Sequence, residues 1–192
     1  MKIGVLSVQG AFIEHENVLN NLGIECFEIR QKSHMNNEID GIILPGGEST
    51  VMRKLLYELD IFDDIRERIL IGFPVMGTCA GAILLAERIE DQNDICFGTI
   101  PMTIKRNAYG RQIGSFAIEH EVKGIGIFPM RFIRAPYISY VDPKAKILSK
   151  VDNKIVGVEY GNQIALSFHP ELTKDNRIHK YFLDKCYKFK SE

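Results

Sequence analysis

Cys79 stands at the tip of Gly72-Phe73-Pro74-Val75-Met76-Gly77-Thr78-Cys79-Ala80-Gly81, where an apolar run ends in a crowd of small residues. A strand before it and the helix-forming run Ala80 to Ala86 after it make a nucleophile elbow, a sharp turn that lifts one reactive side chain above a sheet. Small residues at the flanks permit both the turn and a close crossing of helix over strand. The start of a helix also favours negative charge, as a reactive thiol requires. His169 follows the apolar run Ile164-Ala-Leu-Ser-Phe168 and precedes Pro170, which puts it at a strand end, outside a core. Glu171, two positions on, is placed to orient the imidazole and stabilise its protonated form. Nucleophile, base and orienting carboxylate are the minimum set for acyl transfer. Taken singly, each has an ordinary alternative: a buried structural cysteine, a capping or surface histidine, a solvated glutamate. His15, His34, His120 and His179 lack such a setting and read as solvated or packing residues.

The elements that position these residues begin with a buried parallel-type strand over residues 2 to 8. A helix follows, carrying Val18, Leu19 and Leu22 on one face, then Gly23 and a strand from Ile24 to Ile29. Gln9-Gly10 between strand and helix lacks the repeated glycines of a dinucleotide-binding turn. Gly41 to Leu44 is a short strand that breaks at Pro45-Gly46-Gly47-Glu48-Ser49-Thr50. Val51 to Leu59 then reads as a helix capped by Ser49 or Thr50. Backbone N–H groups at such a strand-to-helix junction are free to hold developing negative charge. Weak helical periodicity from Ile61 to Ile69 leads to the elbow. This βα rhythm implies a mostly parallel sheet with helices on both faces, and functional loops at the carboxyl ends of its strands.

After Asp91 the rhythm changes to short strand candidates: Ile95 to Ile104, Gln112 to Glu119, Arg131 to Arg134, Lys146 to Val151, Ile155 to Tyr160 and Gln163 to Phe168. Asp152-Asn153 and Gly161-Asn162 have the character of hairpin turns. Antiparallel additions to the sheet are the economical expectation, closed by a terminal helix from Arg177 to Lys188.

Composition bounds the function. At 192 residues, residues 1–192 fit one domain, and chains of this size bury roughly 70% of their unfolded surface. A formal net charge of -1 gives no general electrostatic reason to expect nucleic acid or an anionic membrane as partner. The N-terminus enters a strand without a signal-peptide arrangement, and no apolar run approaches the roughly 20 residues that span a bilayer; a cytoplasmic location is expected. Cys26, Cys79, Cys96 and Cys186 are well separated and form no CxxC pair, so neither a metal site, a redox motif nor a disulfide framework is expected.

Gly77-Thr78-Cys79-Ala80-Gly81 followed by His169-Pro170-Glu171 resembles the Gly-x-Cys-x-Gly elbow and His-x-Glu pair of class I glutamine amidotransferases. The resemblance narrows to the glutaminase subunits of pyridoxal 5'-phosphate synthases. It rests on Val8 to Phe12 with Glu14-His15, Leu44 to Thr50, Arg106 to Gln112, Phe132 to Pro136 and Ser167 to Leu172, spread in order over nearly the whole chain. It implies a single-domain α/β fold, flavodoxin-like and three-layered, with a mixed central sheet, helices on both faces and antiparallel additions. It makes Cys79 the nucleophile, His169 the base and Glu171 its partner. Gly47, Glu48, Ser49, Arg106, Ile133 and Arg134 match glutamine-binding positions, with backbone N–H groups of Gly47 and Ala80 as the oxyanion hole. A guanidinium is suited to hold the α-carboxylate of a free amino acid.

The implied reaction is hydrolysis of L-glutamine to L-glutamate and ammonia, without cofactor. The implied partner is a barrel-shaped synthase subunit that receives the ammonia, builds pyridoxal 5'-phosphate from ribose 5-phosphate and glyceraldehyde 3-phosphate, and assembles with the glutaminase as twelve copies of each. Gln9 and Gly10 fall in the docking region near the oxyanion loop. Two positions depart from the family pattern: Met76, where an aromatic residue is usual, and Gly114, where an acidic residue is common. The rival readings are another cysteine hydrolase such as a peptidase, an inactive glutamine-binding or scaffold subunit, and a glutaminase of another amidotransferase pathway.

Overall fold

The computed structural model describes residues 1–90, 92, 96–106 and 114–191. Most of the Arg106 to Gln112 segment, and the starts of the strand candidates placed at Ile95 and Gln112, lie outside the described residues.

The chain opens with β1 (Lys2–Leu6), α1 (Phe12–Asn21), β2 (Glu25–Ile29), β3 (Gly41–Leu44), α2 (Ser49–Glu58), α3 (Phe62–Leu70), β4 (Val75–Thr78) and α4 (Ala80–Leu85). It continues through β5 (Ala86–Ile89), β6 (Ile100–Lys105), β7 (Ser115–Val122), β8 (Gly126–Ile133), β9 (Tyr137–Val141), β10 (Lys146–Val151), β11 (Lys154–Tyr160) and β12 (Gln163–Leu166), and closes with α5 (Arg177–Ser191). The strands of the main sheet lie in the order β2-β1-β3-β4-β12-β11-β9-β6-β5, with β10 paired to β11. From β2 to β12 every neighbour is parallel. Beyond β12 the pairs to β11, β9 and β6 are antiparallel.

Alternation along the strands divides the core between the two faces. On β3, Ile42 and Leu44 join the cluster under α2, α3 and α4, which includes Met52, Leu56, Ile65 and Leu84. Ile43 instead faces the cluster of Leu19 from α1 and Ile178 and Phe182 from α5. The expected βα half, with helices on both faces, is therefore the arrangement found. Asp152-Asn153 and Gly161-Asn162 join β10 to β11 and β11 to β12. Asp152, Asn153 and Gly161 carry the positive φ angles (48°, 61° and 57°) that two-residue hairpins demand.

Three expectations change. The candidates Gln112 to Glu119 and Arg131 to Arg134 belong to β7 and β8, which pair with each other as a separate two-stranded sheet and do not extend the central one. Pro129 lies within β8 and has no backbone donor, which suits an edge position. The ribbon instead lays Phe128, Met130 and Phe132 over the second face of the core. Strands β5 and β9, absent from the sequence expectation, fill the far edge. Finally, α2 begins at Ser49, so that Glu48, and not Ser49 or Thr50, holds the cap position, without a side-chain cap bond. All four cysteines are free. Among the described residues no helix is long and apolar enough to cross a membrane, and no group of three or more His, Cys, Asp or Glu side chains is arranged to hold a metal.

Candidate active site

β4 and β12 are adjacent parallel strands with Thr78 opposite Leu166. That register brings Cys79, one residue past β4, and His169, three past β12, to the same edge of the sheet. Cys79 has φ 48° and ψ −101°, a left-handed conformation that costs a non-glycine residue on the order of 1–3 kcal/mol. Its N–H donates to the Leu166 carbonyl at 2.7 Å, tying the turn to β12. The flanking glycines permit the crossing. A Cβ on Gly77 would lie 2.6 Å from the Gly81 backbone, and one on Gly81 would lie 2.0 Å from the Leu44 carbonyl oxygen. The small residues around Cys79 thus let α4 pass directly over β3 and β4.

His169 and Glu171 are both buried, and His169 Nδ1 lies 2.6 Å from Glu171 Oε1. Burial disfavours an imidazolium here, yet the hydrogen bonds and negative charge of Cys79 and Glu171 outweigh it and raise His169 to about 10. Nδ1 is committed to Glu171, so Nε2 is the nitrogen left to face the thiol. Glu171 is itself held below the usual carboxylate range: burial opposes its charge, and His15 and His169 more than offset that. The Cys79 thiol lies 3.9 Å from the Ile133 carbonyl oxygen, a contact that sulfur can make as a weak donor.

The second wall of the site is the loop after β3. A Cβ on Gly46 would stand 2.3 Å from His169 Cε1 and 3.4 Å from Cys79 Cβ, so a glycine there lets the backbone lie against both side chains. The loop after β1 braces it: Ala11 N–H donates to the Gly46 carbonyl at 2.9 Å, and Glu48 N–H donates to Gln9 Oε1 at 2.8 Å. β1 is flanked by β2 and β3, and the crevice beyond its carboxyl end is where open α/β sheets take ligands.

These elements line an open cleft of about 480 Å³. Its lining includes Gln9, Gly10, Gly47, Glu48, Ser49, Cys79, Arg106, Ile133, Arg134 and His169, so most of the residues singled out in the sequence meet at one place. Glu171 sits behind His169, and Ala80 is buried as the first residue of α4. Arg106 Nη1 also reaches Gln92 Oε1 at 3.3 Å. Arg134 has φ 44°, and its N–H donates to the Gly114 carbonyl at 2.7 Å, which fixes the bend after β8. Ala11, Gly46, Ile83 and Pro136 complete the lining.

Residues 5–188 match the family described as SNO glutamine amidotransferase. The chain belongs to that family. A protein named pyridoxal 5'-phosphate synthase subunit PdxT from Desulfitobacterium hafniense is 56% identical over 184 residues, covering 96% of this chain and 92% of that one. Its namesake from Haemophilus influenzae is 51% identical over 189 residues, covering 97% and 98%. A crystal structure of a glutamine amidotransferase, 42% identical, superposes with a TM-score of 0.91 over 96% of this chain and 98% of the other. The fold of this amidotransferase is thus the mixed-sheet α/β fold expected for class I, and family membership sets the peptidase alternative aside. Of the two departures, Met76 is fully buried in the second core cluster, and a Cβ on Gly114 would meet nothing within 4 Å.

Two of the histidines read above as solvated or packing residues lie behind the site. His15 and His179 are both wholly buried. His15 Nδ1 lies 3.0 Å from His179 Nε2, and its Nε2 lies 3.2 Å from Thr78 Oγ1 and 3.4 Å from Glu171 Oε2. A signal for burial existed: His15 shares a helical face with Val18 and Leu19, and His179 shares one with Phe182, Leu183 and Cys186.

Proposed function

We propose that this chain is the glutamine-hydrolysing subunit of a two-component pyridoxal 5'-phosphate synthase and works through a thioester on Cys79. The observation that carries the reading is His169 placed between Cys79 and Glu171, against a glycine loop, in a chain more than half identical to proteins named for that synthase.

In this reading the Cys79 thiolate attacks the side-chain carbonyl carbon of L-glutamine, forming a C–S bond and an oxyanion. Backbone N–H groups of Gly47 and Ala80 stabilise that oxyanion, each donor contributing about 3–4 kcal/mol in a preorganised site. His169, raised to about 10, holds the proton through neutral pH. It delivers that proton to the departing nitrogen as the C–N bond breaks and ammonia leaves. A water molecule then gives a proton to His169 and attacks the thioester. L-glutamate departs, and the sulfur is restored as thiolate. Glu48, Ser49, Ile133 and the guanidinium groups of Arg106 and Arg134 line the cleft where the amino-acid end of glutamine is bound, and the arginines are suited to its α-carboxylate.

Ammonia loses its nucleophilicity on protonation, so its productive use calls for direct transfer to a synthase. We assign Gln9 and Gly10 to the docking face of a barrel-shaped synthase subunit, in an assembly of twelve copies of each. Their contact with the Gly46–Glu48 loop would couple docking to the oxyanion site. Residues 1–192 act as one catalytic domain, and four free cysteines suit a reducing cytoplasm. The test is glutamine labelled with 15N at the amide, supplied with ribose 5-phosphate, glyceraldehyde 3-phosphate and the purified synthase subunit. The reading expects 15N in the pyridoxal ring. Glutamate release without label in the product would place the chain in another amidotransferase pathway.

A further inference from the structure

His15 and His179 come from the first and last helices of the chain, 164 residues apart, and meet with no exposure to solvent. Burial keeps both neutral: His15 is lowered mainly by burial, and His179 is lowered by burial and the proximity of His15 to about 3. Two neutral imidazoles 3.0 Å apart share one proton, so one donates to the other, and their surroundings decide which.

If His15 Nδ1 carried the proton, its Nε2 would turn a lone pair toward Glu171 Oε2 at 3.4 Å, an oxygen buried without any hydrogen bond. His179 Nδ1, which is also buried without a partner, would then carry an orphaned N–H. Buried N–H groups without acceptors are rarer than under-used acceptors. The opposite arrangement resolves both problems. His179 Nε2–H donates to His15 Nδ1, and His15 Nε2–H faces Thr78 Oγ1 and Glu171 Oε2. His179 Nδ1 is left as a bare lone pair, and the Glu171 carboxylate gains a positive pole on the side away from His169.

We propose that His15 and His179 are positioning residues that act through Glu171: an oriented chain from α5 through α1 aims an N–H at one carboxylate oxygen and keeps the other turned to His169. The inference rests on the function proposed above and deepens it. A carboxylate with no exposed side-chain surface needs donors to remain charged. His169 covers Oε1, and His15 Nε2 stands 3.4 Å from Oε2. The charged and titratable groups that act on His15 are Glu171 and His169 from the loop after β12, His179 from α5 and Glu14 from its own helix. Thr78, the residue before Cys79, ties the same chain to the elbow.

The test compares His15→Leu, His15→Gln, His179→Leu and Cys79→Ala as full-length chains with the synthase subunit, measuring glutamate release from pH 5 to 10 alongside thermal melts. His15→Leu removes the donor. It is expected to lower kcat about 10-fold, the loss of one N–H pole that faces a buried charge, with KM within about twofold. The acidic inflection of kcat/KM is expected to move to higher pH, because Glu171 then ionises less readily. The side-chain amide N–H of His15→Gln replaces Nε2–H and restores most of the rate and the inflection. His179→Leu shifts the inflection in the same direction by less. An inflection that stays in place in both leucine variants, or rates in His15→Leu and His15→Gln that track melting temperature alone, overturns the proposal. If His15→Leu does not fold, an inflection that moves to higher pH in His179→Leu supports the proposal and one that stays in place overturns it. Activity surviving in Cys79→Ala would instead refute the function on which the inference rests, so the two failures are distinct.

Discussion

Replacing Glu171 by glutamine changes one oxygen for one nitrogen at nearly constant volume, and the structure sets the consequence. His169 rises from 6.5 to about 10. At 1.36 kcal/mol per pH unit that difference of 3.5 is about 5 kcal/mol in favour of the charged ring, drawn from both Cys79 and Glu171 against the opposing effect of burial. Loss of a charge-assisted hydrogen bond of about 2–3 kcal/mol slows the reaction about 70-fold. The geometry adds to this. The two carboxylate oxygens face His169 Nδ1 at 2.6 Å and His15 Nε2 at 3.4 Å. An amide can accept on one side only and turns an N–H toward the other ring. Where a neutral amide replaces the orienting carboxylate of a serine-hydrolase triad, kcat falls about 10⁴-fold. Glu171→Gln is therefore expected to lose between about 70-fold and 10⁴-fold in kcat/KM, with the alkaline limb of the pH profile shifted to lower pH. The assay is glutamate release with saturating synthase subunit, normalised to the folded fraction from circular dichroism. A folded variant within about threefold of wild type would refute the role given to Glu171.

Three further outcomes follow from the same geometry. Gly81→Ala gains about 1 kcal/mol of helix propensity, but its methyl carbon would lie 2.0 Å from the Leu44 carbonyl oxygen. A net loss of about 2–3 kcal/mol is expected, seen as a melting temperature lower by roughly 4–12 °C; an unchanged melt would show that the crossing is not tight. Arg106→Ala is expected to raise KM for glutamine at least tenfold with a smaller change in kcat, because the proposed contact with the α-carboxylate forms before the chemical step; an equal fall in kcat would place Arg106 in the chemical step instead. Stability is expected to fall as pH drops below about 6.5. His179 takes up a proton near 6.5 when unfolded but near 3 when folded, so in that window the unfolded chain binds more protons, with a slope of up to about 1.4 kcal/mol per pH unit. Urea melts from pH 4 to 7 measure this, and an unchanged slope in His179→Gln would contradict it.

The parts of the site that were legible in sequence are those set by local chemistry. An apolar run ending in Gly77-Thr78-Cys79-Ala80-Gly81 has few other uses, and Pro45-Gly46-Gly47 breaks its strand wherever it lies in space. His169 could be placed at a strand end because Pro170 halts the run before it. That β4 and β12 are neighbours, putting Cys79 beside His169, is a pairing across nearly ninety positions that no local pattern carries. The ribbon of β7 and β8 was misassigned for the same reason: alternation marks a strand without naming its partner. His15 and His179 show the sharper limit. Their spacing places them on buried helix faces, and a polar ring on such a face must find a partner. Which partner depends on the packing of the first helix against the last.

The most direct measurement is glutamate release from L-glutamine with the synthase subunit present, for wild type and Cys79→Ala at equal folded concentration. The account predicts release that the synthase stimulates and that vanishes with the sulfur. Stimulated release that survives Cys79→Ala would contradict the thioester at its centre.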